Sequence, residues 1–412
     1  MTTTVSVRMY NVGFGDAFLI TVTRDEEHWR ALIDCGVHSH GQARPIADTV
    51  KMIIADLAEA SPDGVPHLDV VAATHHHADH ISGYAVNDWA QVQVGEVWVP
   101  FVEDVTDTDA HALKARQVSA AQRLLGLIES NPALAAAAGR GPVALAKAFA
   151  VNSSGNAAAT DRLLGRNGLG FANTHRVRYL PDRVESYNLL PTGIEEVQVH
   201  ILGPSRAAAD LKRMDPPKRV AWLQLDGDDS ETGPRVPEHL FASQFEVQDL
   251  SQLPDELRRA GSIKITMEDE ILAAASVLER SVNNTSLFFV LDVAGTRLIF
   301  CGDSQHGAWQ HVLTDPAKLA LLQSARFYKV GHHGSGNATP REFIEQLWPN
   351  GGWAMLPWGL VRQWQDTIPQ ADLMTALHTH HHTVIRADQA PEPNPAVTVR
   401  EGIWSQLTLT VE

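Results

Sequence analysis

An apolar run, Leu68 to Ala73, leads directly into THHHADHISG, which puts four histidines and one aspartate in the six positions 75–80. Imidazoles and carboxylates are costly to bury unless something pairs with them, yet this strand delivers them all to one place. His75, His77, Asp79 and His80 form the pattern H-x-H-x-D-H. Residues two apart on an extended segment share a side, so His75 and His77 can grip one cation. Asp79 and His80, a turn further on, can grip a second. Imidazole nitrogen and carboxylate oxygen suit zinc first, with manganese or iron as alternatives.

Other apolar strands end in the same kind of residue. Asp34 closes ALID and precedes Cys35 and Gly36; Asp303 closes LIFCGD; His332 and His333 follow FYKVG. Ligands of open α/β sheets collect at the carboxyl ends of strands. Four such ends meeting at one rim would make a site for one or two divalent metal ions.

The rest of the chain fits an α/β protein. TVSVRMYNV, AFLITVT and RALID read as strands, GFGD as a turn, and PIADTVKMIIADLAEA as an amphipathic helix. The alanine- and leucine-rich stretch from about 106 to 150 reads as helices, and VQVHILGPS as a strand. TSLFFVLDV and TRLIFCGD form a hairpin around Ala294 and Gly295. ARFYKV and GGWAMLPW read as strands, REFIEQLW and QADLMTALHTH as helices, and HTHHHTV (His378, His380, His381, His382) as a helix end and surface loop. Residues from about 206 to 280 are polar and helical, interrupted by DGDDSETGPRVPEH, with too few apolar side chains for a core of their own. They are read as an insertion that forms a helical cover near the site, so 1–412 is expected to be a single domain.

Composition narrows the function. The net charge of −16 keeps a chain soluble and opposes a broad nucleic-acid-binding face. Two basic clusters could still line a phosphate path: Arg176, Arg178 and Arg183, and Lys212, Arg213, Lys218 and Arg219. Two cysteines, Cys35 and Cys301, make no disulfide framework and fit a reducing cytoplasm. No apolar run reaches the roughly 20 residues that span a bilayer, and the N-terminus lacks the basic start and apolar core of a signal peptide. The expected location is cytoplasmic, with no membrane contact.

The order Asp34, His75-x-His77-x-Asp79-His80, Gly302-Asp303, His332 resembles the metallo-β-lactamase superfamily. More narrowly, NVGFGDAFLI, LIDCG, THHHADHISG, NNTSLFFVL, LIFCGDS and KVGHHGS resemble the metallo-hydrolase domain of competence-type DNA-uptake proteins and its stand-alone relatives. The resemblance implies a four-layer αββα sandwich. It implies that His75 and His77 hold one metal, that Asp79, His80 and His332 hold the other, and that Asp303 bridges both. Asp34 would orient a ligand histidine. His333 is then a proton donor or phosphate contact, and the exchanged assignment of His332 and His333 stays open. The sequence departs from the family in lacking a further histidine at the strand turn before the Gly-Asp motif. Asn283, Asn284, His200 and His175 are the open substitutes.

The expected chemistry is hydrolysis by a metal-activated water, with Asp79, Asp303, His333 and Asp34 as the catalytic set and no Ser or Cys nucleophile. A phosphodiesterase or nuclease is favoured. The alternatives are a hydrolase of small esters, lactones or cyclic nucleotides, and a catalytically weak metal-binding regulatory protein. The oligomeric state is left open.

Overall fold

Period-two alternation sorts the strand residues of this chain onto two faces, and that sorting builds the fold. The computed structural model describes residues 2–154, 156–214, 267–362 and 364–411. In chain order the first strands are β1 (Thr3–Tyr10), β2 (Ala17–Arg24), β3 (Glu27–Cys35), β4 (His67–Ala72), β5 (Gln93–Pro100) and β6 (Arg176–Leu180). The next are β7 (Leu189–Pro191), β8 (Val197–Gly203), β9 (Phe288–Val293), β10 (Thr296–Phe300), β11 (Ala325–Lys329), β12 (Gly352–Leu356) and β13 (His382–Arg386). β14 (Val397–Arg400) and β15 (Trp404–Val411) return to the first group.

They form two mixed sheets, ordered β14-β15-β1-β2-β3-β4-β5-β6 and β13-β12-β11-β10-β9-β8-β7. Pairing in the first is antiparallel from β14 to β3 and parallel from β3 to β6. In the second it is parallel from β13 to β10 and antiparallel from β10 to β7. Within each parallel half the carboxyl ends therefore share one edge. Asp34 and the histidine stretch sit at one such edge; Asp303, His332 and His333 sit at the other.

Alternate residues explain the burial. Val5, Val7 and Ile33 of the first sheet join Phe289, Leu291 and Phe300 of the second in one apolar cluster. Their neighbours point the other way. Leu32 and Val71 meet Val50, Ile53 and Leu57 of the helix Ile46–Glu59, whose i, i+3, i+7 spacing makes one apolar stripe. Val290 and Ile299 meet Trp309 of helix His306–Leu313 and Leu373 of helix Ala371–Thr379. A smaller cluster joins the helices Thr108–Ser130, Pro132–Ala137, Gly141–Asn152 and Met267–Asn283 through Ile128, Leu134, Ala146, Ala150 and Ile271. Among the described residues no helix is long and apolar enough to cross a membrane.

Several sequence expectations need correction. β5, β6, β7, β13, β14 and β15 are strands in addition to those read from the sequence. His382 is not in a surface loop: it begins β13, is buried, and stacks on Trp348 with ring centroids 3.8 Å apart. REFIEQLW yields only one π-type turn, Phe343–Leu347. Of the segment 206–280, the stretch 215–266 lies outside the described residues; helices Ala208–Leu211 and Met267–Asn283 stand at its two ends.

Phe300 ties this packing to the site. It is 1% exposed, its ring stacks 5.3 Å from Phe289, and it meets Phe18 of the opposite sheet at 6.5 Å. Phe300→Ala should cost about 3–5 kcal/mol through lost burial and the cavity left behind. Chemical denaturation of the variant beside the wild type checks this.

Candidate metal centre

Three residues in two short turns at the strand ends adopt backbone that L-residues avoid. Asp34 has φ 56°, His332 φ 45° and His333 φ 52°. Left-handed non-glycine residues cost about 1–3 kcal/mol each and persist where the surroundings over-determine them. A close approach accompanies them: a Cβ at Gly36 would lie 2.5 Å from the Ala78 carbonyl and the His80 nitrogen. Only glycine lets the turn after β3 lie against the histidine loop.

Four histidines are each tied through one ring nitrogen, leaving the other facing inward. His75 Nδ1 lies 3.1 Å from Thr74 Oγ1. His77 Nε2 lies 3.0 Å from Ser153 Oγ. His80 Nδ1 lies 2.8 Å from Asp34 Oδ2, and His333 Nδ1 donates to the Pro357 carbonyl at 2.8 Å. The second nitrogens then meet one another or a carboxylate. His75 Nε2 and His77 Nδ1 are 3.0 Å apart. His80 Nε2 is 3.0 Å from Asp303 Oδ2, and His333 Nε2 is 3.4 Å from Asp79 Oδ2. Outer-nitrogen bonds of this kind fix the tautomer and aim a metal-binding imidazole.

Asp79, His80, Asp303 and His333 each offer a donor atom, and these atoms all lie within 4.8 Å of one another. Donors about 2.1 Å from a zinc ion stand up to about 4.2 Å apart, so a small inward shift closes the group on one cation. All four side chains are buried. Asp34 contributes differently. Its oxygens accept from Thr74 N and Thr74 Oγ1, both at 2.7 Å, and from His80. His332 is not tied in the same way: its buried Nδ1 has no partner among the described residues, and its Nε2 lies 3.2 Å from Glu279 Oε1 and 3.9 Å from Asp303 Oδ2.

The charges suit a cation. Burial would raise Asp79 and Asp303, but the charges around them together outweigh it, His80, His333 and His77 at Asp79 and His80, Lys329 and His332 at Asp303, and both carboxyls stay well below their usual range. Burial holds His75 well below its ordinary value and His77 down at about 4. Both are therefore neutral imidazoles at pH 7, the form that binds metal. Burial would also lower His332, but Asp303 and Glu279 raise it to about 9. Among the described residues the buried acids Asp16, Asp34, Asp79, Asp303 and Glu279 share one buried lysine, Lys329, 2.5 Å from Asp16 and 3.4 Å from Asp303. Buried carboxylates need matching positive charge; Lys329 and the raised imidazoles of His80 and His332 supply it here, and a divalent ion could take the place of the imidazole protons.

Sequence reasoning missed several neighbours. Asp16 appeared there only as part of a turn, although it sits in the quoted GFGD. Lys329 immediately precedes the Val-Gly-His-His turn and Glu279 lies in a polar helix, and neither carries a spacing signal. Asn152 donates to Asp79 at 3.1 Å and accepts from Ala78 N at 2.9 Å. An aromatic group flanks His333: Phe14 lies 4.0 Å from its ring, and Trp364 packs on Phe14 and on buried His38. His76, the cluster's remaining histidine, faces away, with Nδ1 3.5 Å from Glu103 Oε1; Glu103 also pairs with Lys114.

The residues that could stand in for a further histidine at the strand turn are otherwise engaged. Asn284 spans the backbone, donating to the carbonyls of Leu211 and Arg213 and accepting from Gln305 N and Ala308 N. Asn283 donates to Glu279 at 2.7 Å. His175 meets the Leu163 carbonyl at 2.9 Å. His200 pairs with Leu189 in mid-strand, and the charges acting on it are Asp292 and Arg297. Arg176, Arg178, Arg183 and Arg206 line a cavity of about 250 Å³ on edge strand β6. They are matched there by acids: Glu96 pairs with Arg176 and Arg178, and Asp107 with Arg183 and Arg206. Lys218 and Arg219 lie outside the described residues.

The fold and site thus define a mixed α/β protein with a buried His/Asp cluster able to hold a metal ion. No family model matches the chain. It is 29% identical over 136 residues to ComE operon protein 3 of Bacillus subtilis (strain 168), an alignment covering 33% of this chain and 16% of that protein.

Asp34→Ala removes the bond that aims His80 and should weaken metal binding about 10–100-fold, read by competition titration with a chromophoric chelator. Glu103 gives a pH signature. Burial would raise it, but Lys114 and His76 hold it down at about 2. A lowered folded pKa stabilises above the unfolded value of about 4.3, and that contribution is lost as pH falls toward 2. Glu103→Gln should cost about 3 kcal/mol at pH 7, with the gap to wild type closing between pH 5 and 2 in denaturation curves.

Proposed function

We infer that the chain is a metal-dependent hydrolase, and that a phosphodiester is its substrate class. The observation that carries this reading is the set of four histidines, each tied outward through one nitrogen, with His80 and His333 aimed at Asp303 and Asp79 and His75 and His77 aimed at each other. Such an arrangement serves cation binding and has no need of a buried Ser or Cys nucleophile. The thiol of Cys301 is pushed up to about 12 by burial, which leaves it protonated and unreactive at neutral pH.

Asp79, His80, Asp303 and His333 would hold one divalent ion, with zinc favoured and manganese the alternative. His75 and His77 would hold another. Ions so placed lower the pKa of a bound water and neutralise charge on a phosphoryl group. The chain's own residues do the rest. Asp34 fixes the His80 tautomer through Nδ1. Ser153 and Thr74 keep His77 and His75 turned inward. Lys329 offsets the charge of Asp16 and Asp303. His332, with Nε2 held against Glu279, is the group to deliver a proton to the departing oxygen. In this reading His333 takes the ligand place and His332 the proton.

The two facing sheets with outer helices correspond in this reading to the four-layer αββα sandwich of the metallo-β-lactamase superfamily, with 1–412 as one domain and 206–280 as its insertion. The partial likeness to ComE operon protein 3 supports it. The net charge of −16 favours a second reading, a hydrolase of small esters, lactones or cyclic nucleotides.

The test uses full-length protein, chelated and reloaded with zinc or manganese, assayed on bis-p-nitrophenyl phosphate and on single-stranded DNA. Turnover on both supports a nuclease; turnover on the small ester alone supports the second reading. Metal uptake without turnover on either substrate, or on a lactone panel, would make the chain a binding protein. Asp303→Ala should fall to the uncatalysed background; undiminished turnover in that variant would sink the assignment.

A further inference from the structure

The two carboxylates of the four-donor group are tied as its imidazoles are, by one atom each. Asp79 Oδ1 accepts from Asn152 Nδ2 at 3.1 Å, which leaves Oδ2 to meet His333 Nε2 at 3.4 Å. Asp303 Oδ1 accepts from the backbone N–H of His332 at 3.1 Å and from Lys329 Nζ at 3.4 Å, which leaves Oδ2 to meet His80 Nε2 at 3.0 Å. A carboxylate oxygen carries about two lone pairs, so those of Asp303 Oδ1 are both in use. A carboxylate that grips one ion with both oxygens, or bridges two ions, needs both oxygens open.

Both tying side chains are themselves held. Asn152 is 7% exposed, and a second bond orients its amide: Oδ1 accepts from Ala78 N at 2.9 Å, so the end that faces Asp79 is the donor. Lys329 is 2% exposed, and two further oxygens fix its ammonium, Asp16 Oδ2 at 2.5 Å and the Gly302 carbonyl at 3.1 Å. The two ties come from different parts of the fold. Asn152 ends helix Gly141–Asn152, outside both sheets, and Lys329 ends β11 of the second sheet.

We propose that Asn152 and Lys329 are positioning residues that make Asp79 and Asp303 one-oxygen ligands, so that Asp79 Oδ2, Asp303 Oδ2, His80 Nε2 and His333 Nε2 close on a single ion. These residues form the group whose donor atoms lie within 4.8 Å of one another. Two nitrogens and two oxygens suit zinc, which expands to a fifth position for water. Asp303 then serves this ion alone and does not bridge to a second. The inference rests on the metal reading above and adds the two side chains that decide how its carboxylates bind.

Full-length protein is chelated, then titrated with zinc against a chromophoric chelator and with cobalt for its visible absorption bands. The Asp79 group offers more donors than the pair His75 and His77, so the first equivalent reports on it. Asn152→Ala and Lys329→Met should each bind that equivalent about 10–100-fold more weakly. For Lys329→Met the sign is decisive, because removing a positive charge beside a cation would by charge alone tighten binding. Once untied, a carboxylate can turn its second oxygen to the ion, so each cobalt-loaded variant should also show altered visible bands. A double-mutant cycle separates positioning from general loosening. Asn152→Ala should cost little more affinity in an Asp79→Ala background, and Lys329→Met little more in Asp303→Ala, whereas independent effects add. Wild-type or tighter zinc affinity in either variant, unchanged cobalt bands, or full additivity in the cycles would overturn the proposal. If Lys329→Met does not fold because Asp16 is left unpaired, the double variant Lys329→Met with Asp16→Asn removes both charges and is read in the same way. A wild type that takes up no ion at all defeats the metal reading itself, which separates the two failures.

Discussion

A buried imidazole is useful only if its direction is decided, and here that decision is made by a bond on the far side of each ring. Thr74, Ser153, Asp34 and Pro357 come from four separate parts of the chain, yet each takes one nitrogen of one histidine. Without those bonds the rings could flip or exchange tautomers, and the carboxylates of Asp79 and Asp303 would face no fixed partners. The left-handed turns at Asp34 and at His332–His333 and the close approach at Gly36 serve the same end. They spend conformational free energy to hold side chains where solvent would otherwise hydrate them.

The two sheets contribute unequally but inseparably. The first brings Asp34 and the histidine loop; the second brings Asp303 and the His332–His333 turn. The 3.0 Å contact between His80 and Asp303 spans the join. Its geometry depends on the apolar layer between the sheets, where Phe18 meets Phe300 three residues before Asp303. A packing change there reaches the cluster through the backbone, because close-packed interiors transmit strain rather than absorb it.

Much of this was legible because the informative residues follow apolar strands. The apolar run before His75 and the Leu-Ile-Phe before Cys301-Gly302-Asp303 announce both the strand and the side chain it delivers. Two kinds of feature escaped. Short or edge strands such as β6 and β7 have little apolar periodicity, since an edge strand with arginines on it looks like a loop. β15, by contrast, carries a readable alternation. Residues acting by proximity alone were also invisible. Lys329 reads as a strand residue and Glu279 as one acid among several on a polar helix, and nothing in their spacing points to histidines about 200 residues or more away in the case of Glu279 and the His75–His80 stretch. Which of His332 and His333 meets Asp79 was likewise beyond spacing, because both residues are left-handed and simple alternation assumes extended backbone.

The helices that flank the cluster have an apolar core of their own, built from residues such as Ile128, Leu134, Ala146 and Ile271 and distinct from the layer between the sheets. That separation does not insulate the site: the helix Gly141–Asn152 ends at the side chains that tether Asp79 and His77, so a packing change in the helical core is passed to the histidine loop.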